Sequence, residues 1–88
     1  MRFMIIETFR GGDAAAVYAR LAARGRMIPE GVRYVDSWVE EGGGRCFQLM
    51  ECTRREDLAP WIAAWADLVD FEVVPVTDSA TAAGNFAT

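Results

Sequence analysis

Residues 34–51, YVDSWVEEGGGRCFQLME, contain a glycine-rich turn between two stretches that favour strands. The three glycines at positions 42–44 tolerate the positive φ angles that a tight hairpin requires. The flanking stretches are rich in β-branched and aromatic residues, namely Val35, Trp38, Val39, Phe47 and Leu49. The segment therefore predicts a β-hairpin, and the remaining elements are interpreted by how they would cover it.

The register of this hairpin determines which side chains share a face, because side chains alternate between the two faces of a strand. A turn centred on residues 42–43 pairs Trp38 with Phe47, Asp36 with Leu49, and Tyr34 with Glu51. A slip of one residue would exchange the two faces.

Residues 2–9, RFMIIETF, predict a first strand that is apolar on both faces through Ile6, as is typical of a central strand. Asp13 is placed to cap a helix that extends from residue 14 to about residue 26. Pro29 and Gly31 then prevent the helix from continuing toward the hairpin.

A second helix is predicted after the hairpin. Thr53 and Glu56 match a capping box, but a helix starting there would place Pro60 in its interior. A helix capped by Asp57 instead places Pro60 in the first turn, and we prefer that start. The spacing of the apolar residues Leu58, Trp61, Ile62, Trp65 and Leu68 indicates an amphipathic helix whose tryptophans belong to the core.

Residues 71–77, FEVVPVT, predict the last strand. Pro75 cannot donate a hydrogen bond to a neighbouring strand, so this strand is expected at an edge of the sheet. Residues 78–88 are small and polar apart from Phe86, and are interpreted as a C-terminal tail or as an arm lying on a neighbouring copy.

The element order β-α-β-β-α-β over residues 1–77 predicts an α+β fold, the ferredoxin-like sandwich. Its four-stranded antiparallel sheet would have the first and third strands at the centre and two helices on one face. The side chains expected under the helices are Met4, Ile6, Val35, Val39, Met50 and Cys52. Those expected on the opposite face are Phe3, Ile5, Tyr34, Trp38, Phe47 and Leu49.

That opposite face is too apolar for a soluble monomer to leave bare. A chain of 88 residues also buries only a modest fraction of its surface by itself. We therefore predict a homodimer in which two sheets face each other as a dimeric α+β barrel.

Composition excludes several classes of function. The net charge of −4 argues against nucleic acid and anionic membrane surfaces as partners, because both attract clustered cations. The sequence has no histidine, the commonest general base and metal ligand. Cys46 and Cys52 would be ~20 Å apart on one strand, too far to form a disulfide or to chelate a metal together. We expect no metal site, no cofactor and two buried free thiols.

The N-terminal apolar run is too short for a signal peptide, and no stretch is long enough to span a bilayer. These features predict a cytoplasmic protein.

Several blocks of the sequence together resemble a known family. They are residues 3–7 (FMIIE), 24–26 (RGR), 34–38 (YVDSW), 46–51 (CFQLME) and 61–76, which begins WIAAW. In order and spacing they resemble a family of short bacterial proteins, domain of unknown function 3303, over about residues 1–77. No activity is assigned to that family, so the resemblance implies no catalytic residues.

More broadly, the pattern resembles the dimeric α+β barrel proteins. That resemblance implies a pair of ferredoxin-like sheets packed face to face. The class includes small cofactor-free monooxygenases, isomerases and decarboxylases, many of which use a histidine that this sequence lacks.

The candidate ligand-binding residues are those expected to line a pocket on the open face, namely Glu7, Tyr34, Asp36, Trp38, Phe47 and Glu51. Carboxylates beside apolar walls have raised pKa values and can act as general acids or bases. The alternative is that they form ion pairs with Arg2, Arg33 or Arg45. Three further arginines, Arg20, Arg24 and Arg26, are interpreted as a solvated helix face, with an anion site as the alternative.

Two functions remain open at this point. The first is a homodimeric protein that binds a small hydrophobic molecule. The second is a cofactor-free enzyme, isomerase-like or monooxygenase-like, that uses the pocket carboxylates for proton transfer. Among these carboxylates Asp36 is the most specific candidate for a ligand-binding role, because Tyr34 and Trp38 are expected to flank it on its own face.

Overall fold

The computed structural model describes residues 1–87, which form one four-stranded antiparallel sheet and three α-helices. The strands are β1 (Arg2–Phe9), β2 (Arg33–Val39), β3 (Arg45–Glu51) and β4 (Val69–Val76). Helix α1 (Ala14–Arg24) joins β1 to β2, α2 (Ala59–Trp65) joins β3 to β4, and α3 (Ser79–Phe86) follows β4. The sheet order β2-β3-β1-β4 confirms the predicted α+β sandwich with the first and third strands at its centre.

The core lies between the sheet and the helices α1 and α2. Phe3, Ile5 and Met50 project from the sheet and are at most 2% exposed. Leu58 and Trp61 meet them from the helical layer and are equally buried. Full burial of each such side chain stabilises the fold by roughly 1.5–3 kcal/mol, which makes this cluster the main source of stability in a small domain. Both tryptophans of the second helix lie in the core, as predicted, whereas Leu58 and Leu68 of the predicted stripe lie outside α2.

We call the sheet side under α1 and α2 the covered face and the other side the open face. On the two central strands the covered face carries Phe3, Ile5, Glu7, Phe9, Cys46, Gln48 and Met50. The open face carries Met4, Ile6, Trp38, Phe47, Leu49 and Val74, which are half-buried except for the more exposed Trp38.

The predicted faces of β1 are therefore wrong. Phe3 and Ile5 lie on the covered face, and Met4 and Ile6 lie on the open face. The reason is that β1 is apolar in both phases through Ile6, so hydrophobicity alone does not select the phase. Packing against the helices selects it, and it carries Glu7 into the interior.

The predicted hairpin register is confirmed where Trp38 pairs with Phe47 and where Asp36 pairs with Leu49. It is wrong at Tyr34, because a β-bulge between Tyr34 and Asp36 shifts the pairing. Tyr34 then lies opposite Met50 instead of Glu51. A bulge inserts one extra residue and so reverses the face of the side chains beyond it, which places Tyr34 on the covered face.

Local hydrogen bonds and one proline determine where the helices α1 and α2 begin. Asp13 caps α1 as predicted, since its Oδ1 accepts a hydrogen bond from the Ala16 N–H at 3.0 Å. Pro60 lies in the first turn of α2, also as predicted. Asp57 does not cap that helix: it belongs to a 3₁₀ turn, Arg55–Leu58, and its Oδ2 accepts from the Arg54 N–H at 3.0 Å.

Strand β4 and helix α3, the two C-terminal elements, differ in how closely they pack against the rest of the chain. Strand β4 is an edge strand, as Pro75 predicts. Helix α3 is capped by Asp78, whose Oδ1 accepts from the Thr81 N–H at 2.8 Å. Every residue of α3 except Ala82 is exposed, and Phe86 is 82% exposed. The helix therefore contributes almost nothing to the core of its own chain.

Candidate functional site

A cavity of about 70 Å³ lies between the covered face and the helices. Its polar lining consists of Glu7, Arg26, Ser37, Cys46 and Gln48. Its apolar walls are Phe9, Val17, Leu21, Trp61 and Trp65. The exposed side chains of Tyr18 and Val39 also line it and mark its mouth. An apolar pocket with a few converging polar groups is the usual form of a small-molecule site.

Glu7 is the buried acid of this cavity. It lies on the central strand β1, directly opposite Cys46 of β3 and Phe71 of β4, and is only 7% exposed. Burial raises the pKa of the Glu7 carboxyl from 4.5 to about 7, because the charged form loses its hydration. A hydrogen bond from Cys46 and the positive charge of Arg26 act in the opposite direction but are weaker. Glu7 therefore changes protonation near neutral pH.

Cys46 is the neighbour of this acid on β3. Burial, followed by the negative charge of Glu7, raises the pKa of the Cys46 thiol to about 12. The thiol is thus protonated at neutral pH and lies opposite Glu7 in the sheet. Cys46 and Cys52 are both free and buried, as predicted. A thiol with so high a pKa is a poor nucleophile at neutral pH.

Arg26 enters the cavity from the loop that follows α1. Its guanidinium lies over the Tyr34 ring, 4.1 Å from the ring centroid. One guanidinium nitrogen donates to the Tyr34 hydroxyl at 3.3 Å and contacts the Ser37 Oγ at 3.5 Å. The two hydroxyls are themselves joined by a 2.6 Å hydrogen bond. These contacts hold the cation at the edge of the cavity.

The backbone around Arg26 is unusual on both sides. Gly25 ends α1 with φ +67°, and Met27 has φ +59°. The left-handed conformation is costly for any residue that has a Cβ, such as Met27, so the surrounding structure must enforce it. One enforcing contact is visible: the Trp65 indole N–H donates to the Arg26 carbonyl at 3.1 Å. Packing of α2 thereby fixes the loop that carries Arg26.

The six predicted ligand-binding residues do not form one pocket. Glu7 lines the cavity on the covered face, and Tyr34 supports Arg26 there. Asp36, Trp38 and Phe47 lie on the open face. The prediction that Glu7 and Tyr34 share that face is wrong, because of the phase of β1 and the bulge in β2.

Glu51 forms ion pairs with arginines, which is the alternative interpretation given for these carboxylates. Its carboxylate lies 3.2 Å from a guanidinium nitrogen of Arg2 and 3.2 Å from one of Arg33. Hydrogen bonds from Arg2 and then from Arg33 lower the pKa of this carboxyl. Asp36 has a local role, since its Oδ1 accepts from the N–H of Ser37 at 2.8 Å.

Sequence reasoning missed Arg26, Cys46 and Gln48 as cavity residues. The three arginines near the end of α1 separate in the structure: Arg20 forms a bidentate pair with Asp67 at 2.6 and 2.7 Å, and Arg24 is exposed. The one signal for Arg26 is its position directly after Gly25, beyond the helix. Cys46 and Gln48 become neighbours of Glu7 only through the register of β1 with β3.

Residues 1–87 contain no group of three or more His, Cys, Asp or Glu side chains placed to hold a metal ion. None of the helices within the same residues is long and apolar enough to cross a membrane.

The fold and the cavity define a small α+β domain with a four-stranded antiparallel sheet in the order β2-β3-β1-β4. Comparison with known families gives a match over residues 1–88 to the family described as Domain of unknown function (DUF3303). The chain belongs to that family, which confirms the resemblance noted from its sequence blocks. No curated protein and no solved structure matches it significantly.

Proposed function

We propose that this protein binds a small, mainly apolar molecule in the cavity beneath its helices. Glu7 would be the group that exchanges a hydrogen bond or a proton with that molecule. The observation that carries the proposal is a carboxyl only 7% exposed at the wall of a cavity otherwise lined largely by aromatic and aliphatic side chains. Burying a carboxyl is costly, and Val or Thr would serve a purely structural strand position at lower cost.

The size of the cavity limits the ligand. A water needs roughly 10–15 Å³, and drug-sized sites measure roughly 300–1,000 Å³. A cavity of about 70 Å³ accepts one small group of a ligand. The rest of a larger molecule would extend past Tyr18 and Val39 at the mouth.

The three tryptophans allow a direct test, because Trp61 and Trp65 line the cavity while Trp38 lies on the open face. Titration with n-butanol should shift the indole N–H resonances of Trp61 and Trp65 and leave that of Trp38 in place. Leu21→Phe should weaken these shifts by filling the cavity, whereas Ala22→Phe on the exposed side of α1 should not. Equal shifts at all three tryptophans, or none, would contradict binding in the cavity.

A second candidate function is cofactor-free proton transfer. It is favoured by the Glu7 pKa of about 7, since an acid or base works best when its pKa lies near the working pH. Arg26 at the same cavity could stabilise a negative oxygen formed in such a reaction. Exchange of the α-hydrogens of butanone in D₂O, followed by NMR, should be faster with the protein and should lose that acceleration in Glu7→Gln.

We also propose that the protein is a homodimer joined through its open faces. Met4, Ile6, Phe47 and Leu49 form a continuous apolar surface that neither α1 nor α2 covers. Charged residues surround it, including the Arg2–Glu51 and Arg45–Glu40 pairs. An apolar centre with a charged rim is typical of a protein interface.

Helix α3 supports the same assembly. An isolated helix of eight residues is marginal in water, and α3 buries almost nothing against its own chain. Packing of α3 on a second copy, with Phe86 as the anchor, would provide the missing contacts. Sedimentation equilibrium at micromolar concentration tests the assembly: a dimer mass is expected, and a monomer mass would rule out the face-to-face arrangement.

A further inference from the structure

Arg26 is half-buried but has no carboxylate partner, whereas Arg20, which is also half-buried, is paired with Asp67. Arg2, Arg20 and Arg45 each have a carboxylate oxygen within 4.0 Å. Within residues 1–87, no such oxygen lies that close to the Arg26 guanidinium. Its charge is therefore available at the cavity.

The geometry leaves part of the guanidinium free. Arginine has five N–H donors, and the contacts to the Tyr34 and Ser37 hydroxyls both use one nitrogen, Nη2. The Tyr34 ring covers one face of the group without consuming a donor. The remaining N–H groups can bind an oxygen atom of a ligand. Charge-assisted hydrogen bonds of this kind are stronger than hydrogen bonds between neutral groups.

The other residues that line the cavity indicate which chemical groups a ligand should carry. Ser37 adds a hydroxyl beside the cation, and Trp61 and Trp65 offer apolar walls. Glu7 lies at the same cavity and, when protonated, is a hydrogen-bond donor as well. A molecule that satisfies all of these groups has one anionic oxygen end and a short apolar body.

We propose that the ligand class of this cavity is the small aliphatic carboxylates, with the ligand carboxylate on Arg26 and its alkyl chain against the tryptophans. This proposal rests on the proposed small-molecule binding and specifies its chemistry. The anchoring of Arg26 by the Trp65 indole means that binding at the guanidinium should be sensed at that indole.

The test compares butyrate with butyramide and n-butanol, which have similar bodies but carry no charge. In the native protein at pH 6.5, butyrate should bind at least tenfold more tightly than butyramide, as measured from the Trp65 indole resonance. Arg26→Gln should abolish this preference, and Arg26→Lys should restore part of it because the charge returns. Arg24→Gln, two residues away and exposed, is the matched control and should keep the preference.

The outcomes separate the two proposals. Binding of n-butanol without any preference for butyrate, or a preference that survives Arg26→Gln, would overturn the carboxylate assignment alone. Absence of any shift at Trp61 and Trp65 with all three compounds would overturn both the carboxylate assignment and the proposed binding. If Arg26→Gln unfolds, Ser37→Ala and Arg26→Lys provide milder changes. A preference for butyrate that neither of these two variants alters would count against the assignment.

Discussion

Glu7 and Cys46 face each other on the two central strands, so that a carboxyl and a thiol lie side by side, buried beneath the helices. The pair lies at the cavity and is shielded by α1 and α2 from bulk water. Its position explains why one acid in this chain has a pKa near neutrality, while the paired Glu51 is shifted in the opposite direction.

Stability should fall with rising pH because of Glu7. Its pKa is about 4.5 when unfolded and about 7 when folded, so the folded state holds the proton more tightly. The contribution of Glu7 to the free energy of unfolding is therefore largest below pH 4.5 and is lost between pH 4.5 and 7, which lowers the free energy of unfolding by about 3 kcal/mol over that range. Urea unfolding at several pH values measures this slope.

Glu7→Gln removes the titrating group and should flatten that slope, so that the variant gains stability relative to the native protein above pH 7. The matched control is Glu41→Gln in the exposed hairpin turn, which should leave the slope unchanged. A native slope that persists in Glu7→Gln would mean that another group is responsible.

Butyrate binding should also depend on pH. The titratable or charged groups facing Glu7 are Cys46 on β3, Arg26 in the loop and Tyr18 on α1, with Tyr34 behind Arg26; α2 contributes the two tryptophans. Glu7 itself has a pKa of about 7. Its ionised form repels a carboxylate, so butyrate should bind more weakly at pH 8 than at pH 6. Glu7→Gln should bind butyrate equally at both pH values.

Phe47→Arg should disrupt the proposed dimer. Phe47 lies at the centre of the open face, opposite Trp38 and Ile6 on the neighbouring strands. An arginine there would place an unpaired charge in a desolvated interface. Sedimentation should report a monomer or aggregates, whereas Ala63→Arg on the exposed side of α2 should keep the native mass.

Phe86→Ser should weaken the dimer without changing the fold of the subunit. Phe86 is 82% exposed in the single chain, so its loss removes no contact from the core. The dimer dissociation constant should rise at least tenfold, while Asn85→Ser on the same helix should leave it unchanged. An unaltered constant for Phe86→Ser would exclude α3 as an interface element.

Asp36→Asn should have little effect. The carboxylate is exposed and its contact is the N–H of the adjacent Ser37, which an amide oxygen can also accept. We expect a stability change within about 0.5 kcal/mol and an unaltered response of Trp61 and Trp65 to butyrate. Loss of that response would restore Asp36 as a ligand-binding residue and argue for a link across the sheet.

The sequence by itself determined the elements of residues 1–77 and their order, but not helix α3. Glycines at 42–44, the cap at Asp13, the proline at 60 and the apolar spacing of the second helix act locally, over a few residues. Pro75 likewise assigns β4 to an edge, because a missing N–H is a property of one residue. Such local signals can be interpreted without knowing what lies opposite.

Only the tertiary structure decided which side of the sheet contains the site. Strand β1 is apolar in both phases, so the choice between Phe3 and Met4 for the core depends on how the helices pack. The bulge that turns Tyr34 toward Arg26 depends on the pairing of β2 with β3. The meeting of Glu7, Cys46 and Arg26 joins residues distant in sequence, and burial, the cause of the Glu7 pKa, exists only when those elements have come together.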